Sequence, residues 1–135
     1  MNKLLVHIYD NNESEVLRLS TDASTNPKVK AFFKRSPAEW QLSDTNDNAG
    51  TGNWQMLTLT LSKGYASVYV DGVLDGIDST RGPFSENGNQ LLIGKRSGSS
   101  GTFNGDIDDV ILYNRVLSLT EIQELYSNTS NVNNY

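Results

Sequence analysis

Residues Trp54 to Gly76 read WQMLTLTLSKGYASVYVDGVLDG. Leu57, Leu59 and Leu61 alternate with Thr58 and Thr60, a period of two that sets leucines on one strand face and threonines on the other. Lys63-Gly64 marks a turn, and Ala66, Val68 and Val70 then resume the alternation. Asp71-Gly72 suits a type I′ hairpin, whose two central residues both take positive φ. The stretch therefore predicts three consecutive antiparallel strands.

The same rhythm extends outward. Turn formers recur at intervals in DNN, STN, SDTNDNAGTGN, GPFSENGN and SGSSG, with short Val-, Ile-, Leu-, Thr- and aromatic-rich segments between them. Further strands are predicted over Lys3–Tyr9, Glu15–Ser20, Val29–Lys34, Leu91–Gly94 and Thr102–Asn114. Many short strands separated by turns point to an all-β sandwich or barrel. One helix is predicted, SLTEIQELY from Ser118 to Tyr126. Ser118 and Glu121 have the spacing of a capping box, and Leu117 can staple against Ile122. The polar tail SNTSNVNNY, residues 127–135, is expected to be mobile or held by a partner.

The 135 residues fit one domain, residues 1–135, with 36% hydrophobic and 20% charged residues, a soluble globular composition. Net charge is −5, and the eleven Lys and Arg are scattered, so there is no nucleic-acid footprint. The absence of cysteine favours a bacterial or viral source over a secreted animal domain. The opening MNKLLVHIYDNN is not a signal peptide, and no apolar run has membrane-spanning length. The chain is then either used without secretion or cut from a longer exported parent.

Nucleophilic catalysis finds little support: His7 is the single histidine, and Gly98-Ser99-Ser100-Gly101 is too tight for a nucleophile elbow. No glycine-rich loop has phosphate-binding spacing. Glycoside hydrolysis needs two carboxylates facing each other across the sugar, whereas Asp106 and Asp108, like Glu13 and Glu15, share one strand face. No catalytic residue and no cofactor are expected, and the chain reads as a non-enzyme. Asp44, Asn46 and Asn48 match the first spacings of a calcium loop, but Ala49 and Gln55 occupy positions that want Gly and Glu. A polar hairpin loop is preferred there, with a loose calcium site left open.

The stretch NGDIDDVILYNRVLS, Asn104 to Ser118, holds Asp106, Asp108 and Asp109 within four positions. Ile107 and Val110 are three apart, while Val110 and Leu112 are two apart. A β-bulge at Asp108-Asp109 would restore the phase and turn a carboxylate toward backbone N–H groups. Architecture is preferred to metal.

Taken in order, Trp54-Gln-Met-Leu-Thr-Leu-Thr, Ser67-Val-Tyr-Val-Asp-Gly-Val, Leu92-Ile-Gly, Phe103-Asn-Gly-Asp-Ile-Asp-Asp-Val-Ile-Leu-Tyr-Asn-Arg-Val-Leu-Ser and Glu121-Ile form a series. This series resembles the laminin-G-like, concanavalin A-like lectin/glucanase superfamily, in its branch near the pentraxins. The likeness covers about Trp54 to Tyr126 and fits the first fifty residues loosely. It implies a jelly-roll sandwich of two antiparallel sheets, with the Gly105–Val110 stretch as a structural signature strand. Catalytic members carry three acids alternating along one strand, and Glu13-Ser-Glu15 is followed by Leu17 instead of a third. Calcium-binding members carry an acid-rich loop after the Leu-Ile-Gly strand, where this chain has Lys95-Arg96-Ser-Gly-Ser-Ser-Gly. The family pattern also begins some forty residues earlier, so the chain is expected to be shortened at its N-terminus. An uncovered sheet edge would then favour a homo-oligomer or a larger assembly.

The resemblance implies a non-catalytic recognition or adhesion module, binding carbohydrate at a cell or virion surface. Candidate ligand-binding residues are Trp40, Tyr65, Arg81, Asn87 and Asn89, aromatics and planar polar groups near loops or strand ends. The alternative is a structural or decoration protein, such as a virion surface subunit, that uses the fold for protein contacts. A glycoside-hydrolase remnant ranks third.

Overall fold

The computed structural model describes residues 3–9, 15–21, 28–34, 40–48, 51–62, 65–78, 88–95 and 102–132. Among them run β1 (Lys3–Tyr9), β2 (Glu15–Thr21), β3 (Lys28–Lys34), β4 (Trp40–Asn48), β5 (Leu57–Ser62), β6 (Tyr65–Val70), β7 (Val73–Asp78), β8 (Gln90–Ile93) and α1 (Leu119–Val132). One sheet has the order β4-β3-β2-β1-β8 and the other β5-β6-β7. Every pairing is antiparallel. This is the expected two-sheet sandwich with one C-terminal helix.

The core lies where the sheets face each other. Register sets Leu19 opposite Ala31 and Thr21 opposite Val29 on the inner face of the five-stranded sheet. Leu19, Val29 and Ala31 meet Val68 of the three-stranded sheet, with Leu5, Val6, Leu57 and Leu59 packed around them. Ala66, Val68 and Val70 are all buried, as their alternation predicts. On the opposite face of the large sheet, Arg18 pairs across from Phe32 with its guanidinium carbon 3.8 Å from the ring centroid. That cation–π contact packs a charged residue over an aromatic one, both half-buried.

The hairpin between β6 and β7 turns at Asp71 (φ 52°) and Gly72 (φ 77°), the two positive values a type I′ turn requires. Asp71 also anchors the entry to β5. Its Oδ1 accepts from the Met56 N–H at 2.8 Å, and its own N–H donates to the Met56 carbonyl at 2.9 Å. The turn thus ties all three strands of the small sheet together at one end.

Three expectations are corrected. Asp44 to Asn48, taken as a polar hairpin loop, lies inside β4. Its register puts Asp44 opposite Lys30 and Asn48 opposite Lys28, so pairing with β3 outweighs the weak intrinsic strand preference of Asp and Asn. Thr102–Asn114, expected as a strand, belongs to neither ladder. Its start is tied in, with the Phe103 N–H donating to the Gly94 carbonyl at 2.7 Å. The helix runs on to Val132, so Ser127–Val132 is helical rather than tail. There the Ser127 hydroxyl donates to the Gln123 carbonyl at 2.9 Å, a bond that reconciles a polar residue with a helix. The Lys63-Gly64 turn and the Gly98–Gly101 loop lie outside the described residues.

Candidate functional site

The five candidate residues do not converge. Arg81 and Asn87 lie outside the described residues. Trp40 opens β4 opposite Lys34, and Asn89 precedes β8, whose first residue Gln90 pairs with Tyr9. Both sit at the same end of the five-stranded sheet but on opposite edges. Four strand spacings separate those edges, roughly 19 Å. Tyr65 belongs to the other sheet, at the β5–β6 end opposite Ser62, and is 57% exposed.

Trp54, the first residue of the stretch that carries the three strands, stands outside them. β5 starts only at Leu57, and Trp54 follows three bends at Thr51–Asn53 with 61% of its surface exposed. The turn-forming run Gly50-Thr51-Gly52-Asn53 just before it was the signal available in the sequence. Trp54 lies two residues before the Met56–Asp71 clamp. Tyr126 borders the same turn from α1, its Cβ lying 3.3 Å from where a Gly72 Cβ would stand. Trp54 with Asn53 and Gln55 and Tyr65 at the far end are therefore two distinct aromatic positions on the small sheet. The ladder from Leu57 to Ser62 alone keeps them roughly 17 Å apart.

The three clustered aspartates are exposed on a run facing solvent. Asp109 takes φ 49°, and its N–H donates to Asp108 Oδ1 at 2.8 Å. One carboxylate does turn onto a backbone N–H, as the bulge argument expects, but on an unpaired segment. Among the described residues no group of three His, Asp or Glu is placed to hold a metal ion.

A bidentate ion pair and a capping box secure the helix. Arg115 Nη1 and Nη2 donate to Glu121 Oε2 and Oε1 at 3.0 and 2.6 Å, a bidentate fork. The Ser118 N–H also donates to Glu121 Oε2 at 2.8 Å, and Ser118 Oγ accepts from the Glu121 N–H at 3.3 Å. The capping box is thus formed, with Leu117 and Ile122 both buried at the two staple positions. Arg115 first, and then the Ser118 N–H and hydroxyl, lower the Glu121 carboxyl from 4.5 to about 2. Beside this clasp an open cleft of about 200 Å³ is lined by Tyr113, Leu117, Glu124, Leu125 and Asn128. Both charged partners are open to water, so the clasp orients the chain more than it stabilises it.

A pH dependence follows from the lowered Glu121. Its stabilising share is fully present above pH 4.5 and is lost as pH falls through 2. Thermal unfolding of the chain and of Glu121→Gln should differ most near neutral pH and converge toward pH 2. An unchanged difference at pH 2 would contradict the assignment.

A family profile described as the concanavalin A-like lectin/glucanases superfamily matches residues 3–123. The chain belongs to this superfamily. The match takes in β1 to β4, the part where sequence resemblance is loosest. A crystal structure of an S-layer domain-containing protein (residues 221–444) from Clostridium thermocellum ATCC 27405 is similar, with a TM-score of 0.53 and 21% identity. The likeness covers 93% of this chain and 63% of that one, so this chain spans less than two thirds of it. No match was found among curated proteins. The superfamily's description joins lectins and glucanases, so membership establishes the fold and leaves activity to the site. Among the described residues, no helix is long and apolar enough to cross a membrane.

Proposed function

We propose that this chain is a non-catalytic recognition module of a cell surface that binds carbohydrate by stacking it on an exposed aromatic side chain. The observation that carries this reading is Trp54, largely exposed two residues before the Met56–Asp71 clamp and flanked in sequence by Asn53 and Gln55. A rigid ring offers apolar area to a sugar face, and neighbouring amides can bond its hydroxyls. Tyr65, the second exposed aromatic, marks an alternative position on the same sheet. The surface location draws support from the likeness to a domain of an S-layer domain-containing protein. Arg81, Asn87 and Asn89 remain candidate partners of such a ligand.

The purified chain should bind one sugar class reproducibly on a broad glycan array, probed with calcium and with chelator. Trp54→Ala is expected to weaken that binding roughly tenfold or more, and Tyr65→Ala far less. The reverse order would move the site to the β5–β6 end. A blank array from folded protein would remove the carbohydrate reading. Protein contact, as in a decoration subunit, would then take its place, a reading favoured by the exposed apolar run Val110–Tyr113.

A further inference from the structure

The segment from Phe103 to Ile107 is fastened to Gly94 at both ends. The Phe103 N–H donates to the Gly94 carbonyl at 2.7 Å, and Ile107 Cδ1 lies 3.7 Å from where a Gly94 Cβ would stand. Between these anchors Asn104 and Gly105 are exposed, with a bend at Gly105. The segment joins neither sheet, and among the described residues neither Asn104 nor the Gly105 N–H has a hydrogen-bond partner. A Cβ on Gly105 would stand 2.8 Å from Phe103 Cε1, so the ring's close approach requires glycine here.

An asparagine followed by glycine carries its own nucleophile. The glycine nitrogen can close a five-membered ring on the asparagine Cγ, and no side chain on the glycine hinders the approach. Such an intramolecular attack outpaces attack by solvent. In a sheet ladder the N–H is engaged and the backbone fixed, and neither restraint acts on Gly105. We propose that Asn104 is a self-modification site, at which the native chain converts this side chain into a carboxylate with water as the only co-reactant. Base removes the Gly105 amide proton, the nitrogen bonds to Asn104 Cγ, and the Cγ–Nδ2 bond breaks to release ammonia. Water then opens the succinimide at either carbonyl, leaving an aspartyl or an isoaspartyl link, with no change of oxidation state. Other pairs able to close the same ring are held back: Asp71 Oδ1 accepts the Met56 N–H, and Asp75, which precedes Gly76, is buried within β7. Asn87-Gly88 shares the sequence, but Asn87 lies outside the described residues. The new carboxylate would join Asp106, Asp108 and Asp109 and make the net charge of −5 one unit more negative. An isoaspartyl link also adds a methylene to the main chain between the two Gly94 anchors. This site stands independently of the carbohydrate reading.

The native chain, aged in mildly alkaline buffer and then mapped by peptide mass spectrometry, tests the proposal. Asn104 should convert at least about tenfold faster than Asn53, Asn89 and Asn114, each followed by a residue with a side chain. Its native rate should lie within about tenfold of the rate in concentrated urea, because the fold withholds neither the amide nor the nucleophile. Both aspartyl and isoaspartyl products should form. Asn104→Gln, whose closure needs a six-membered ring, should stay unmodified at this position with an unchanged circular dichroism spectrum. Asn104 left intact in the native chain but converted in urea would show that the fold protects it and would overturn the proposal. A rate no greater than that of Asn53, a purely aspartyl product, or an equally fast Asn104→Gln would overturn it as well.

Discussion

Replacing Ile122 by alanine is expected to lower stability by roughly 3 kcal/mol and the melting temperature by about 10 °C. Ile122 is fully buried, among the largest side chains of which that is true. It sits in the first turn of α1, directly after Glu121 of the capping box, and Leu117 just before the box is buried too. Truncation removes its transfer free energy and leaves a cavity that a helix pinned at its N-terminus cannot readily close. The pinning is considerable: the cap, the staple and the Arg115 fork all act within seven residues, Arg115 to Glu121 and Ile122 just beyond. Thermal unfolding followed by circular dichroism measures the loss. Ser118→Ala, which removes only a cap, should cost about 1 kcal/mol. If Ile122→Ala cost no more than Ser118→Ala, α1 would be an appendage and not part of the cooperative fold.

Gly72→Val is expected to cost roughly 2–4 kcal/mol, from two separate causes. At φ 77° an L side chain is strained, and a β-branched one most of all. A Cβ at this position would also stand 3.3 Å from Tyr126 Cβ and 3.6 Å from Gln123 Cα. The helix must then shift away from the turn on which it rests. The neighbouring Asp71, at φ 52°, supplies the control. Asp71→Asn keeps a side-chain oxygen for the Met56 N–H and tolerates the left-handed conformation, so it should be nearly neutral. Urea unfolding of both variants tests the argument, and a Gly72→Val chain as stable as Asp71→Asn would contradict it.

Which of these features the sequence shows depends on the range of the interactions behind them. The hairpin at Asp71-Gly72 and the cap at Ser118–Glu121 rest on contacts between residues close in the chain, and both are legible from composition and spacing. The core leucines and valines of β5 and β6 are equally legible, since a period of two marks a buried face whatever that face meets. Trp54 heads the stretch that carries three strands, yet the first of them begins only at Leu57, where β6 supplies partners. β4 misleads in the other direction. Its Asp and Asn content describes a loop, and only β3 alongside it makes it a strand.

The sequence by itself therefore determined the two-sheet architecture, the superfamily and the start of the helix, because each follows from local periodicity, turn chemistry or an ordered motif. Tertiary structure alone decided that the candidate residues Trp40, Tyr65 and Asn89 lie apart and that Trp54 faces water. It also decided that, among the described residues, Val110–Tyr113 joins neither sheet. Strand order and edge position depend on pairing between distant segments, and no spacing within a strand records which strand will lie beside it.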